Sequence, residues 1–315
     1  MTREPGRAVA PDPPAAWRRE WEERVRRAAP EQLTFDHGRA TRYWSSREHA
    51  GQSAVLESFG HWPVVTLDTI LVFVAEVVLN LVLAAVAIFV IATNGPPLGH
   101  RSTAYNALQH ASTVVSQQWL VSPVGIACSA LVTQAGIMLI LYLRVVRRGV
   151  LSWSDLGFGP VLRREPLRAL ALGIGFGLLA FVVGEALLSI MNAAGLDVQE
   201  QQKSFQSVRH TSPAELAPFF ITTVLTAPLA EEAFFRGYAL RALTVRYGLP
   251  IGLVVSSALF AVLHLGGAVG WVVVPLFVVG LVLGWAYART GNLITSITAH
   301  AINNLIGVLL LYGSR

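Results

Sequence analysis

Between Val64 and Tyr312 the sequence breaks into seven apolar runs separated by short polar stretches. A helical crossing of a bilayer needs about 20 apolar residues. Inside the hydrocarbon every backbone N–H and C=O must be satisfied within the structure, which leaves helices or closed barrels. Continuous apolar runs, without strand-like alternation, select helices. The expected spans are residues 64–93, 123–143, 169–193, 214–246, 251–265, 271–288 and 293–312. The predicted fold class is therefore an all-α, multi-span transmembrane helix bundle of about seven spans, preceded by a polar tail.

Composition agrees with that reading and removes others. The chain is 53% hydrophobic and 14% charged, and its charge collects in the first 60 residues and a few loops. The net charge of +5 is almost all arginine, since Lys203 is the only lysine. These arginines flank the spans, which is the ordinary anchoring pattern; no nucleic-acid partner is expected, and the lipid bilayer is. The single Cys128 excludes an intrachain disulfide and a cysteine metal cluster. The first apolar run starts near Pro63 behind a charged segment, so no secretory leader is expected.

Orientation follows from the loops. Arg144, Arg147, Arg148, Arg163, Arg164 and Arg168 fall within 25 residues, which marks that loop as cytoplasmic. With seven crossings, Arg241, Arg246 and Arg289 come out on the same side. The amino terminus is then cytoplasmic and the carboxyl terminus external. Twenty-three arginines against one lysine fit a GC-rich bacterial genome, hence a bacterial plasma membrane.

Three units are expected: a polar tail over 1–62, three spans with their loops over 63–212, and a catalytic core over 213–312. In the tail, Trp17, Trp21 and Val25 are four apart and would form one apolar stripe on a helix. Such a helix lies on the membrane surface or stays solvated. Residues 94–121 read as a loop.

Charges inside the spans carry the functional signal. A charged side chain at mid-bilayer costs about 2.5–3.5 kcal/mol on insertion scales. The fourth run nevertheless contains Glu231, Glu232 and Arg236, with Pro228 expected to kink or loosen the helix just before them. Glu232 and Arg236 are four apart and share a helix face. Glu231 is rotated about 100° away. One carboxylate can thus be neutralised while its neighbour stays free, which is how a site gives two carboxylates different roles. Elsewhere, Asp68, Glu76 and Asn80 share a face of the first span, and Glu185 lies midway along the third. The first set serves either hydrogen bonding between helices or the site itself.

Only two of the eight histidines lie in predicted spans, His264 with Phe260 one turn before it and His300 with Asn304 one turn after it. At 1.5 Å rise per residue, Glu231 lies about 15 Å from Arg241, His300 about 16 Å from Arg289 and His264 about 21 Å from Pro250. The four polar side chains can therefore meet at one depth. Glu231 with His264 could take a proton from water, and His300 with Asn304 could donate to an oxyanion. The same Glu231, His264 and His300 are also ligand types found around zinc, although the spacing is not a compact metal motif.

Glu-Glu-x-x-x-Arg at 231–236, Phe-x-x-x-His at 260–264 and His-x-x-x-Asn at 300–304 resemble the three signature motifs of the CPBP family. That family comprises type II CAAX prenyl endopeptidases and related bacteriocin-immunity proteins. The likeness covers about 213–307, including Arg236-Gly237 and the Gly291-Asn292-Leu293 turn. It implies an intramembrane endopeptidase acting on a membrane-associated peptide or protein. By the resemblance, Glu231 and His264 activate water, His300 and Asn304 stabilise the oxyanion, and Glu232, Arg236 and Phe260 support them, with no cofactor. A zinc enzyme built on the same residues is the alternative chemistry. A non-enzymatic immunity or scaffold protein, and a transporter with a proton path through Glu76, Glu185 and Glu231, are the alternative functions.

Overall fold

A computed structural model describes residues 62–94, 104–153, 155–156, 166–196, 211–264 and 270–313. The expected tail stripe at Trp17, Trp21 and Val25, most of the polar loop after the third span and the Gly266-Gly267 turn lie outside these residues. Within them the chain is helical and contains no strand. We number the helices α1 (Trp62–Asn94), α2 (Ala104–Val114, continued by a wide π turn over Val115–Trp119), α3 (Pro123–Val146), α4 (Pro166–Ala193), α5 (Pro213–Tyr247), α6 (Leu249–Leu263), α7 (Val273–Thr290) and α8 (Leu293–Gly313).

Two expectations need correction. Six helices are long and apolar enough to cross a membrane: α1, α3, α4, α5, α7 and α8. The expected fifth span is α6, only 15 residues long. Gly248 at φ 84 and Pro250 start it abruptly, and it stops at His264. Its rise is about 22 Å, so it reaches the depth of the site and little beyond. The expected loop 94–121 contains α2. Its sequence, Ala104 to Val114, is too polar to read as a span, and one amphipathic helix among loop-like residues was masked by that polarity.

Local chemistry explains the helix ends that matter. Ser212 and Glu215 form a capping box at the start of α5: the Ser212 hydroxyl accepts from Glu215 N–H while the Glu215 carboxylate accepts from Ser212 N–H. Pro228 has no N–H to give to Val224, and the preceding turns widen into π geometry over Ile221–Thr226. A second π segment, Ala233–Leu240, follows the two glutamates directly. Gly237 lies within it, where a Cβ would meet Leu156 O at 2.7 Å.

The helix order across the bundle brings all the arginine-bearing ends together. Leu240, Tyr287 and Leu293 form one buried cluster with Leu249 and Leu253, so the end of α5, the start of α6, the α7–α8 turn and Arg289 share one end. Arg241 donates to Asp155 O, which adds the segment after α3 to that end. There Asp68, fully buried, accepts from Arg144 Nε at 2.6 Å and from the Tyr238 hydroxyl at 2.6 Å. These bonds tie the start of α1 to the ends of α3 and α5. Between this end and the middle of the bundle lies the largest core cluster, built around Phe234, Phe235, Tyr238, Phe260, Ile137 and Leu141.

Candidate active site

Four helices set the site. The middle of α5 supplies Glu231, Glu232 and Arg236. The end of α6 supplies Phe260 and His264, and α8 supplies His300 and Asn304. From α7 comes only a backbone carbonyl, Gly280 O. Close helix contact holds α8 in place: α4 lies so near that a Cβ on Gly173 would meet Thr298 Cβ at 2.5 Å, and one on Gly177 would meet Ala299 O at 2.6 Å. Small residues at such spacing let membrane helices approach backbone to backbone.

The two adjacent glutamates occupy different surroundings. Glu232 is fully buried, and its Oε1 accepts from Arg236 Nη1 at 2.8 Å and from His300 Nδ1 at 3.0 Å. Arg236 donates its other Nη to Gly280 O at 3.0 Å. The guanidinium lies 4.7 Å from the centre of the Phe260 ring, a cation–π contact. Glu231 has none of these partners. Its Oε2 is shielded from solvent and has no hydrogen-bond partner within the protein. An unpartnered buried carboxylate oxygen is costly; Glu232 Oε2 shares that condition, but Glu232 is held through Oε1 by Arg236 and His300, which leaves Glu231 as the carboxylate with unused capacity.

Both imidazoles turn toward that oxygen. His264 Nε2 lies 3.8 Å and His300 Nε2 4.0 Å from Glu231 Oε2. Neither distance is a hydrogen bond; both leave room for a water that touches all three atoms. The opposite ring nitrogens are committed. His264 Nδ1 pairs with Phe260 O at 2.8 Å, so it carries the hydrogen and leaves the Nε2 lone pair facing the site. His300 Nδ1 donates to Glu232. Phe260, nearly fully buried, lies against His264 with ring centres 4.6 Å apart and planes tilted by 54°, and meets His300 edge-on at 5.8 Å. One ring thus wedges both imidazoles and the guanidinium.

Asn304 is one turn beyond His300 and has partners of its own. Asn304 Nδ2 donates to Thr223 O at 2.9 Å, and its Oδ1 accepts from Asn303 Nδ2 at 3.1 Å. The Thr223 carbonyl is exposed to a side chain here because the π turn of α5 disturbs the helical ladder, a feature that no residue spacing announces. Nearby, Gln134 of α3 donates to Thr222 O at 3.2 Å and accepts from Thr226 Oγ1 at 2.5 Å, which docks α3 on the same stretch of α5.

The three polar residues of the first span separate. Asp68 belongs to the arginine-bearing end. Asn80 Nδ2 donates to Thr133 Oγ1 at 3.3 Å across to α3. Glu76 also lies beside Thr133, and its Oε2 has no hydrogen-bond partner within the protein. Glu185 sits on an exposed face of α4, so the chain of carboxylates that a transporter path would need is not assembled.

Among the described residues no group of three or more His, Cys, Asp or Glu side chains is spaced to hold a metal ion.

A family model for the Rce1-like type II CAAX prenyl endopeptidases matches residues 213–306, from the first turn of α5 to just past Asn304. No curated protein and no solved structure matches the chain. The matched segment contains every residue of the three motifs, and its helices lie in an apolar multi-span bundle. Over residues 213–306 this integral membrane protein is thus similar to the Rce1-like type II CAAX prenyl endopeptidases.

Proposed function

We propose that the protein hydrolyses a peptide bond of a membrane-associated peptide or protein, using a water activated by Glu231 and His264. The observation that carries this reading is the shielded, unpartnered Glu231 Oε2 with two imidazole Nε2 atoms at 3.8 and 4.0 Å. A water at that point donates one hydrogen to Glu231 and one to the His264 Nε2 lone pair. Its oxygen lone pair is left for the scissile carbonyl carbon. As the C–O bond forms, Glu231 takes the water proton. When the C–N bond breaks, Glu231 returns that proton to the leaving amine, so the base is restored.

His300 serves the developing oxyanion. Its Nδ1–H is already given to Glu232, so donation from Nε2 requires the doubly protonated ring. Glu232 supports that cation at Nδ1. The group then balances: Glu231 and Glu232 against Arg236 and His300. Asn304 has a second amide N–H beyond the one bound to Thr223 O, and it completes the oxyanion site. A preorganised donor of this kind contributes about 10²–10³ in rate.

The test uses the full chain in lipid nanodiscs with a library of quenched fluorogenic peptides bearing apolar anchors. Wild type cleaves members of the library and Glu231→Gln loses about 10²–10⁴ of that rate. An E231Q protein that folds and cleaves at the wild-type rate overturns the proposal. Activity resistant to chelators is expected; stoichiometric zinc whose removal abolishes cleavage would overturn the glutamate mechanism.

A further inference from the structure

Pro228 leaves one carbonyl of α5 without a backbone donor, and the helix register decides which. In an α-helix the missing N–H would orphan Val224 O, four residues back; in a π turn it orphans Thr223 O, five residues back. The chain takes the second course. Residues Ile221–Thr226 are π, and Ala227 N–H goes to Thr222 O. Thr223 O is thus passed over, and Asn304 Nδ2 of α8 takes the place at 2.9 Å.

The adjacent carbonyl is held from a third helix. Gln134 Nε2 of α3 donates to Thr222 O at 3.2 Å, and Gln134 Oε1 accepts from Thr226 Oγ1 at 2.5 Å. Gln134 and Thr222 are both buried, so water does not compete for these bonds. Two consecutive carbonyls of one turn are therefore held by amides of two different helices. One amide is Asn304; the other lies outside the matched segment 213–306. The Asn304 amide is also oriented by its seat. Its Nδ2 donates to Thr223 O while its Oδ1 accepts from Asn303 Nδ2 at 3.1 Å. Turning the amide over would set like atoms against like at both contacts, so the seat decides where its second N–H points.

Rewinding the turn to α geometry would move Ala227 N–H from Thr222 O to Thr223 O, four residues back. That N–H would then compete with Asn304 for its seat. Gln134 opposes the rewinding, because both of its bonds grip residues inside the π turn. We propose that Gln134 is a positioning residue for Asn304: it holds the π register of α5, in which Pro228 leaves Thr223 O free to seat the Asn304 amide. Gln134 acts through the Thr222–Thr223 peptide. Its effect on rate rests on the reading of Asn304 as an oxyanion donor; the seat itself does not.

The test compares Gln134→Leu, Pro228→Ala and Asn304→Ala, singly and in pairs, in the full chain in nanodiscs. Leucine fills the volume of Gln134 and leaves Thr222 O with Ala227 N–H, so the variant folds. Its kcat toward the anchored peptides falls by about 10–100-fold while KM stays within about twofold. Added to Asn304→Ala, Gln134→Leu lowers kcat no further; losses that multiply overturn the proposal. Pro228→Ala restores an N–H to the turn. Its unfolding midpoint holds or rises while kcat falls, a combination that loss of a merely structural contact does not give; an unchanged kcat overturns the proposal.

Unfolding needs no substrate and supplies the independent readout. Asn304→Ala lowers the midpoint of the wild-type chain. It lowers that of Gln134→Leu or Pro228→Ala by about half as much or less, because Ala227 N–H or the N–H regained at position 228 has taken the seat. Equal losses in all three backgrounds overturn the proposal. If wild type cleaves no peptide and the losses are unequal, the protease reading fails and the role of Gln134 stands.

Discussion

His300 Nδ1 lies 3.0 Å from Glu232 Oε1, the same oxygen that Arg236 Nη1 holds at 2.8 Å. One carboxylate oxygen therefore links α5 to α8 and fixes which nitrogen of His300 faces Glu231. The glutamate that looks redundant in sequence sets the geometry of its neighbour's partner.

That sharing makes Glu232 a stability residue. Glu232→Ala leaves Arg236 buried without its partner, a change that costs about 3–5 kcal/mol. Glu231→Ala removes a side chain without hydrogen-bond partners at Oε2 and costs much less. Thermal unfolding of both variants in the same detergent checks this, and equal losses would refute the division of labour between the two glutamates.

Phe260 touches Arg236, His264 and His300 with one ring. Phe260→Ala opens a cavity beneath all three and costs about 3–5 kcal/mol. Phe260→Leu keeps much of the volume and recovers part of that stability. Because leucine offers no ring to the imidazoles, peptide cleavage recovers less than stability does. Unfolding midpoints compared with cleavage rates read the difference.

His264 sits at the end of the short helix and is part exposed, at 29% of its side chain. His264→Ala therefore leaves the unfolding midpoint within a degree or two of wild type, while cleavage falls by about 10²–10⁴. A stable variant with unchanged cleavage would remove His264 from the proposed water site.

Gly177 and Gly175 form a matched pair on α4. A Cβ at Gly177 meets Ala299 O at 2.6 Å and Ile302 Cβ at 2.7 Å, whereas one at Gly175 meets nothing within 4 Å. Gly177→Leu pushes α8 away and moves His300 off Glu232, so both stability and cleavage drop. Gly175→Leu leaves both unchanged. Equal behaviour of the two variants would show that α4 does not set the position of α8.

Much of this was determined by the sequence alone. Apolar run length dictates helices, because lipid offers backbone groups no other partner. The i,i+4 spacing of Glu232 and Arg236 dictates their pair. Turn chemistry at Gly248 and Pro250 ends α5 where it was expected to end. The three motifs mark the segment that the family model also matches. What the sequence left open needed distances between helices. Asp68, Glu76 and Asn80 read as one face of one helix, yet Asp68 serves Arg144 and Tyr238 while Glu76 and Asn80 meet Thr133 of α3, since each meets whatever packs at its own depth. The short reach of α6 and the commitment of Asn304 to Thr223 O were also hidden. Spacing along one helix reports which side chains share a face. It does not report what stands opposite, and in an apolar bundle the partner across the gap decides whether a carboxylate is bound to a neighbouring helix, as Glu232 is through His300, or faces imidazoles beyond hydrogen-bond distance, as Glu231 does.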